Sequence, residues 1–131
     1  MKTLIVEDDF TSRLLMQELL NRYGPVHIAV NGLEATEAVR LSMEAGEPYN
    51  LICLDIMMPK KDGHQALKEI RAMEEEHGIT STRGAKIMMT TAVNSIKSVS
   101  TAFHGLCDAY LVKPIKRATL LEELRKAKLV T

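Results

Sequence analysis

The sequence predicts a doubly wound α/β domain, a three-layer sandwich of five β-α units with a five-stranded parallel sheet between two layers of helices. Three observations predict it. Short apolar runs alternate strictly with amphipathic stretches, the pattern of parallel strands joined by crossover helices. One run, Leu51 to Asp55, is apolar on both sides, as suits a central strand covered on two faces. The length of 131 residues fits one core and leaves no room for a second domain of ordinary size, so 1–131 is expected to be a single domain.

The elements follow in order. Thr3 to Val6 is the first strand. From Arg13 to Tyr23, Leu15, Met16, Leu19 and Leu20 recur at helical spacing, and Gly24-Pro25 stops the helix. Val26 to Val30 is the second strand. Asn31 with Glu34 three residues on reads as an N-cap and its partner. The helix that follows runs to about Ala45, with Leu33, Ala38, Leu41 and Ala45 expected on or near its inner face. Leu51 to Asp55 is the third strand, and Met58 to Gly63 is a turn-rich loop. The third helix turns Ala66, Leu67, Ile70 and Met73 inward, and Glu74 to Gly84 reads as a polar, solvated segment with no assigned role. Ala85 to Thr90 is the fourth strand. Ile96, Val99 and Phe103 mark a helix over about 95–104. Cys107 to Val112 is the fifth strand, ended by Lys113-Pro114, and Arg117 to Lys128 makes the last helix.

Composition excludes several classes. Apolar residues are 46% and charged residues 26%, ordinary for a globular chain. Lysine plus arginine (17) equals aspartate plus glutamate (17), so the basic footprint of a nucleic-acid binder is missing. No apolar run approaches the roughly 18 residues of a membrane span, and the N-terminus meets carboxylates too early for a signal peptide. Cys53 and Cys107 sit in apolar segments and read as small buried hydrophobes in a reducing compartment. A cytoplasmic protein is expected.

Right-handed crossovers bring every strand's C-terminal end to one edge, and in open α/β sheets chemistry sits there. The polar residues at those ends are Glu7, Asp8 and Asp9 after the first strand, Asp55 after the third, Thr90 and Thr91 after the fourth, and Lys113 after the fifth. Two carboxylates about 5 Å apart repel by about 3 kcal/mol at an effective dielectric near 20, so several gathered together call for a cation. Carboxylate oxygens without thiolate or imidazole neighbours select a hard divalent ion such as magnesium. A lysine and a hydroxyl at the same edge supply what a phosphoryl group needs. A carboxylate beside a metal can itself be the nucleophile in phosphoryl transfer.

These residues resemble a known family. Leu-Ile-Val-Glu-Asp-Asp, Leu-Asp-Ile-Met-Met-Pro-Lys-Lys-Asp-Gly, Thr-Thr-Ala and Tyr-Leu-Val-Lys-Pro are similar to the motifs of the receiver domain of response regulators, the two-component signalling family to which the chemotaxis regulators belong. The resemblance runs from Met1 to about Lys128. It implies a flavodoxin-like fold with strand order 2-1-3-4-5. It implies that Asp55 accepts a phosphoryl group from a sensor histidine kinase or a histidine phosphotransfer protein. Asp8 would be a direct magnesium ligand and Glu7 a ligand through water, with Asp55 and the backbone carbonyl of Met57 completing the protein's share. Manganese would substitute. The register places Arg13 five residues after Asp8 and leaves Asp9 as an extra carboxylate.

Thr91 matches the switch hydroxyl, with Thr90 the competing choice. Lys113 would pair with the phosphoryl group, and its bond to Pro114 is expected to be cis. Tyr110 matches the aromatic that turns inward when Thr91 moves. The helix around 95–104, the fifth strand and the last helix would form the face that binds a downstream protein, as a monomer or a phosphorylation-dependent dimer. Such a chain is a phosphoacceptor signalling domain, stand-alone unless it is a fragment, that catalyses only its own phosphorylation and slow autodephosphorylation.

Met57 and Val93 are apolar at positions where polar side chains can orient a hydrolytic water, so a long-lived acyl phosphate is expected. The alternatives are an aspartyl-nucleophile, metal-dependent phosphatase, a flavin carrier, and a receiver that no longer takes phosphate and serves only for binding, the last opposed by the presence of all five site residues. The phosphatase would need a carboxylate where Met57 stands, and Glu7-Asp8-Asp9 would repel a flavin's phosphate. His27, His64, His77 and His104 lack metal-ligand spacing, and the eight methionines read as core filling.

Overall fold

The computed structural model describes residues 1–58, 62–80, 83–91 and 106–131. The expected helix over 95–104, Pro59 to Lys61, Val93 and His104 lie outside the described residues. Five strands, β1 (Thr3–Val6), β2 (Val26–Ala29), β3 (Leu51–Asp55), β4 (Lys86–Thr91) and β5 (Ala109–Val112), form one sheet in the order β2-β1-β3-β4-β5. Every pairing is parallel. Three helices, α1 (Phe10–Leu20), α2 (Gly32–Glu44) and α3 (Gly63–Glu76), alternate with the strands, and a C-terminal helix spans Arg117–Lys126.

Strand periodicity divides the core in two. Leu4, Val6, Ile52, Leu54, Ile87 and Met89 face α2 and α3. Ile5, Leu51, Cys53, Met88 and Leu111 face α1 and the C-terminal helix. All five residues of β3 are buried, as its two-sided apolar pattern requires. Burial pushes the Cys53 thiol up to about 12, so this cysteine packs as a hydrophobe, and both cysteines are free thiols.

The helices begin at side-chain caps. Asn31 accepts the Glu34 N–H at 2.9 Å while the Glu34 carboxylate accepts the Val30 N–H at 3.0 Å, a reciprocal arrangement close to the expected cap. Asp62 caps α3 by accepting the Gln65 N–H at 2.9 Å. Helix α1 starts at Phe10, earlier than the apolar spacing from Arg13 indicates, because Asp9 caps it by accepting the Ser12 N–H at 2.8 Å.

Two expectations are corrected. Helix α2 buries Gly32, Ala35, Val39 and Ser42, leaving Leu33 and Leu41 about half exposed. A stripe of small residues lets the helix approach the sheet closely, and the larger leucines are left outside. Ala45 is also exposed. Second, Glu74 is not solvated. It lies on α3 and is only 3% exposed, with one oxygen 2.7 Å from the Arg71 guanidinium and the other accepting the Ala85 N–H at 2.7 Å.

Arg71 extends this network to the start of β5. Its guanidinium donates to the carbonyls of Leu106 and Ala85, each at 2.8 Å, and pairs with Asp108 at 3.1 Å. Asp108 in turn accepts the Ile87 N–H at 2.8 Å. Arg71, Glu74 and Asp108 therefore form an ionic latch, and β5 begins at Ala109 rather than at the expected Cys107. A Cβ on Gly84 would stand 2.5 Å from the Glu74 carboxylate, so a side chain there would push that carboxylate away from its partners.

Removing Glu74 leaves the half-buried Arg71 without its closest carboxylate and strips the Ala85 N–H of its acceptor. Glu74→Ala is expected to cost about 2–4 kcal/mol, while Glu75→Ala and Glu76→Ala, on exposed side chains, stay within about 0.5 kcal/mol. Urea unfolding midpoints check the contrast. Equal effects of the three substitutions would refute the latch.

Candidate functional site

The parallel topology delivers the ends of β1, β3, β4 and β5 to one edge. Glu7 and Asp8 follow β1 directly, Asp55 is the last residue of β3, and Lys113 follows β5. Carboxylate oxygens of Glu7, Asp8 and Asp55 all lie within 4.8 Å of one another. Glu7 and Asp55 are each 4% exposed, whereas Asp8 is exposed.

The Lys113 ammonium bridges the two buried acids, 2.8 Å from Glu7 Oε1 and 3.2 Å from Asp55 Oδ2. Its backbone N–H donates to the Thr91 carbonyl at 2.8 Å, which continues the ladder one residue past β5. The Lys113–Pro114 bond is cis, as the resemblance implies.

The remaining carboxylate oxygens are partly satisfied by backbone. Asp55 Oδ1 accepts the Met57 N–H at 3.2 Å, and Glu7 Oε2 accepts the Asp9 N–H at 3.2 Å. The Arg13 guanidinium donates to the Glu7 carbonyl at 3.2 Å. Sequence reasoning used Arg13 only as a register mark and counted Asp9 as a spare acid. Both anchor the first acidic loop to α1. The Asp9 cap was readable from an aspartate placed directly before a helical run, whereas Arg13's reach to Glu7 depends on the angle at which α1 leaves the sheet.

Gly63 is a third residue whose role the sequence did not single out. Its N–H donates to the Ile56 carbonyl at 3.0 Å, and a Cβ there would overlap the Asp55 carbonyl and stand 2.8 Å from the Ile56 Cα. The loop after Asp55 thus folds back on the end of β3 only because Gly63 has no side chain.

Register separates the two threonines. Thr90 lies opposite Asp55, and Thr91 opposite Val112. Alternation puts Thr90 on the Met88 face and Thr91 on the Met89 face, where half-buried Tyr110 is Met89's partner. Thr90 lines a cavity of about 150 Å³ together with Glu7, Cys53, Met16, Lys113 and Ile115. The lining of this cavity beside Glu7 is largely apolar.

Electrostatics follow from that enclosure. Burial raises the Glu7 pKa above its ordinary value, and the hydrogen bond and charge of Asp55 add to the rise, while Lys113 opposes it. Burial alone would lower the Lys113 pKa. The Glu7 hydrogen bond and the charges of Asp55 and Glu7 outweigh it, so the ammonium is held above its usual range. Three hard carboxylate oxygens within 4.8 Å of one another, one of them from an exposed residue, fit a small divalent cation in chemistry and spacing.

A raised carboxyl pKa has a definite sign in stability. The folded state holds the Glu7 proton more tightly than the unfolded chain, so metal-free stability falls as pH rises from 4.5 through the elevated folded-state value, and is flat beyond it. Glu7→Gln removes that titration. The stability of wild type relative to Glu7→Gln is expected to decline across this window, measured by urea midpoints over a pH series in chelator. A difference that grows with pH would show the opposite shift.

Comparison with known proteins agrees with the geometry. Residues 3–125 match the family model described as the response regulator receiver domain. The chain is 33% identical over 121 residues to the osmosensing histidine protein kinase SLN1 of Saccharomyces cerevisiae, covering 91% of this chain and 9% of that one. It is 29% identical to the transcriptional regulatory protein CitT of Halalkalibacterium halodurans, spanning half of that relative's length. Among solved structures, the receiver domain of the sensor histidine kinase PA1611 from Pseudomonas aeruginosa has a magnesium ion coordinated in its active-site cleft. It superposes with a TM-score of 0.75 at 27% identity, covering 95% of this chain and 94% of that one. The receiver domain of the yeast response regulator Ssk1, solved with the histidine phosphotransfer protein Ypd1, gives a TM-score of 0.78 at 28% identity over 96% of this chain and 87% of that one. With these matches and the five-stranded order β2-β1-β3-β4-β5, the chain belongs to the response regulator receiver domain family of two-component signalling.

Proposed function

We propose that Asp55 accepts a phosphoryl group from a phosphohistidine on a partner protein, in a reaction that needs a divalent cation, magnesium by preference. The observation that carries this reading is the Lys113 ammonium held between Glu7 and Asp55 beside a third carboxylate, Asp8. It is supported by the magnesium in the PA1611 receiver and by the pairing of Ssk1 with a phosphotransfer protein.

An Asp55 carboxylate oxygen attacks phosphorus in line. A P–O bond forms, the P–N bond to the donor imidazole breaks, and the imidazole leaves with the bonding pair. Lys113 already touches Asp55 Oδ2 and neutralises charge as the phosphoryl group arrives. Glu7, Asp8, Asp55 and the Met57 carbonyl would hold the cation, which supplies further charge neutralisation to the phosphoryl oxygens. The product adds nearly two negative charges. Thr91 is the hydroxyl proposed to follow them, because it shares a strand face with Tyr110, and their movement would alter the β5 surface offered to a downstream protein.

The donor is read as a protein because apolar side chains stand exposed beside the acids. Phe10 is 67%, Leu14 44% and Met57 72% exposed, and they offer dry contacts around a charged centre. The phosphatase reading gains nothing, since exposed, apolar Met57 occupies the position where that chemistry needs an acid.

Incubation with magnesium and a small acyl phosphate is expected to add one phosphoryl group by intact mass, and none to Asp55→Asn. An unmodified wild type would overturn the proposal. The apolar Met57 side chain cannot orient water, so Met57→Asn is expected to speed phosphate loss roughly three- to tenfold, up to about 1.4 kcal/mol in barrier. The decay of the adduct with time checks this, and an unchanged decay would remove Met57 as its determinant.

A further inference from the structure

The methionines are not equivalent. Met16, Met58, Met88 and Met89 are buried, and Met1, Met43 and Met73 are half-buried. Met57 alone of the eight is classed as exposed, at 72%. Its position is held by chemistry as well as by chain connectivity, because its N–H donates to Asp55 Oδ1 at 3.2 Å. An oxidisable thioether therefore stands in solvent one hydrogen bond from the phosphoacceptor.

We infer that Met57 is a redox modification site, whose oxidation to the sulfoxide by a peroxide shortens the life of the phosphoryl group on Asp55. The inference rests on Asp55 being the phosphoacceptor.

The oxidation balances simply. A sulfur lone pair attacks one oxygen of hydrogen peroxide, an S–O bond forms as the O–O bond breaks, and the departing hydroxide takes the proton of the transferred oxygen and leaves as water. Sulfur is oxidised by two electrons and the peroxide reduced by two. Susceptibility follows exposure, which favours Met57 over the other seven. Neither cysteine is a ready competitor. Cys53 is buried, and burial raises the pKa of both thiols, so neither presents a ready thiolate to the peroxide.

The consequence lies in hydrogen bonding. A thioether sulfur is a weak acceptor, whereas a sulfoxide oxygen is a strong one. Beside Asp55 it can accept a hydrogen bond from a water and orient it toward phosphorus. That water attacks, the P–O bond to the Asp55 carboxylate breaks, and inorganic phosphate departs with the water's protons. The sulfoxide is not consumed, and a methionine sulfoxide reductase restores the thioether.

The test treats the purified chain with graded hydrogen peroxide, removes the peroxide, and maps oxygen gain by peptide mass. Treated and untreated chains are then loaded with phosphoryl groups from a small acyl phosphate and magnesium. Met57 is expected to gain oxygen first, and the oxidised chain to lose phosphate roughly threefold faster or more. Reductase treatment should reverse the change. Met57→Leu, compared with its own untreated form, should show no peroxide effect on decay, while Met43→Leu keeps it. Oxidation of another methionine ahead of Met57, or equal decay of oxidised and untreated chains, would overturn the inference. If the untreated wild type takes no phosphoryl group, the Asp55 reading fails first. Normal loading with oxidation-independent decay overturns this inference alone.

Discussion

The Lys113 ammonium, held 2.8 Å from Glu7 and 3.2 Å from Asp55, is the contact on which the rest of the site depends. Glu7 and Asp55 are almost fully buried and close together, and without an opposing charge they would drive the ends of β1 and β3 apart. Lys113 comes from the end of β5, two strands away from β3. One side chain therefore ties three strand ends together and couples the acids to the position of β5. The apolar cavity floor beneath makes this contact stronger than it would be in water, and makes the acids more costly to leave unpaired.

At the opposite edge a second ionic group does a complementary task. Arg71, Glu74 and Asp108 fasten the entries of β4 and β5 to the end of α3. Strand β5 is only four residues long and lies at the edge of the sheet. It is pinned at its start by Asp108 and at its end by Lys113. Tyr110 lies between the two pins, half-buried against the Met89 face.

The site is also graded from dry to wet. Glu7, Asp55 and Thr90 are buried, whereas Asp8 and Met57 stand in solvent. The buried members set the electrostatics. The exposed members are the ones open to solvent. Gly63 keeps the two zones in contact by letting the loop after Asp55 return against the strand.

By itself the sequence determined the sheet, the alternation of helices and the identity of the strand-end residues. Strand periodicity and local caps such as Asn31–Glu34 are carried by residues a few positions apart, so they are legible without a fold. The lysine and the acids were legible for a different reason, since each ends an apolar run and right-handed crossovers send all such ends to one edge. Tertiary structure alone decided the rest. Helix α2 buries Ala35 and Val39 rather than Leu33 and Leu41, because close approach to the sheet favours small residues over the larger leucines. Glu74 is buried because Arg71, Ala85 and Gly84 meet around it, and the last two are about ten residues distant in the chain. That Thr90 lies opposite Asp55 and Thr91 opposite Val112 is decided only by the strand registers. In each case the deciding partner is non-local, and the burial of a charge or the choice of a packing face depends on that partner rather than on the residue's own neighbours in sequence.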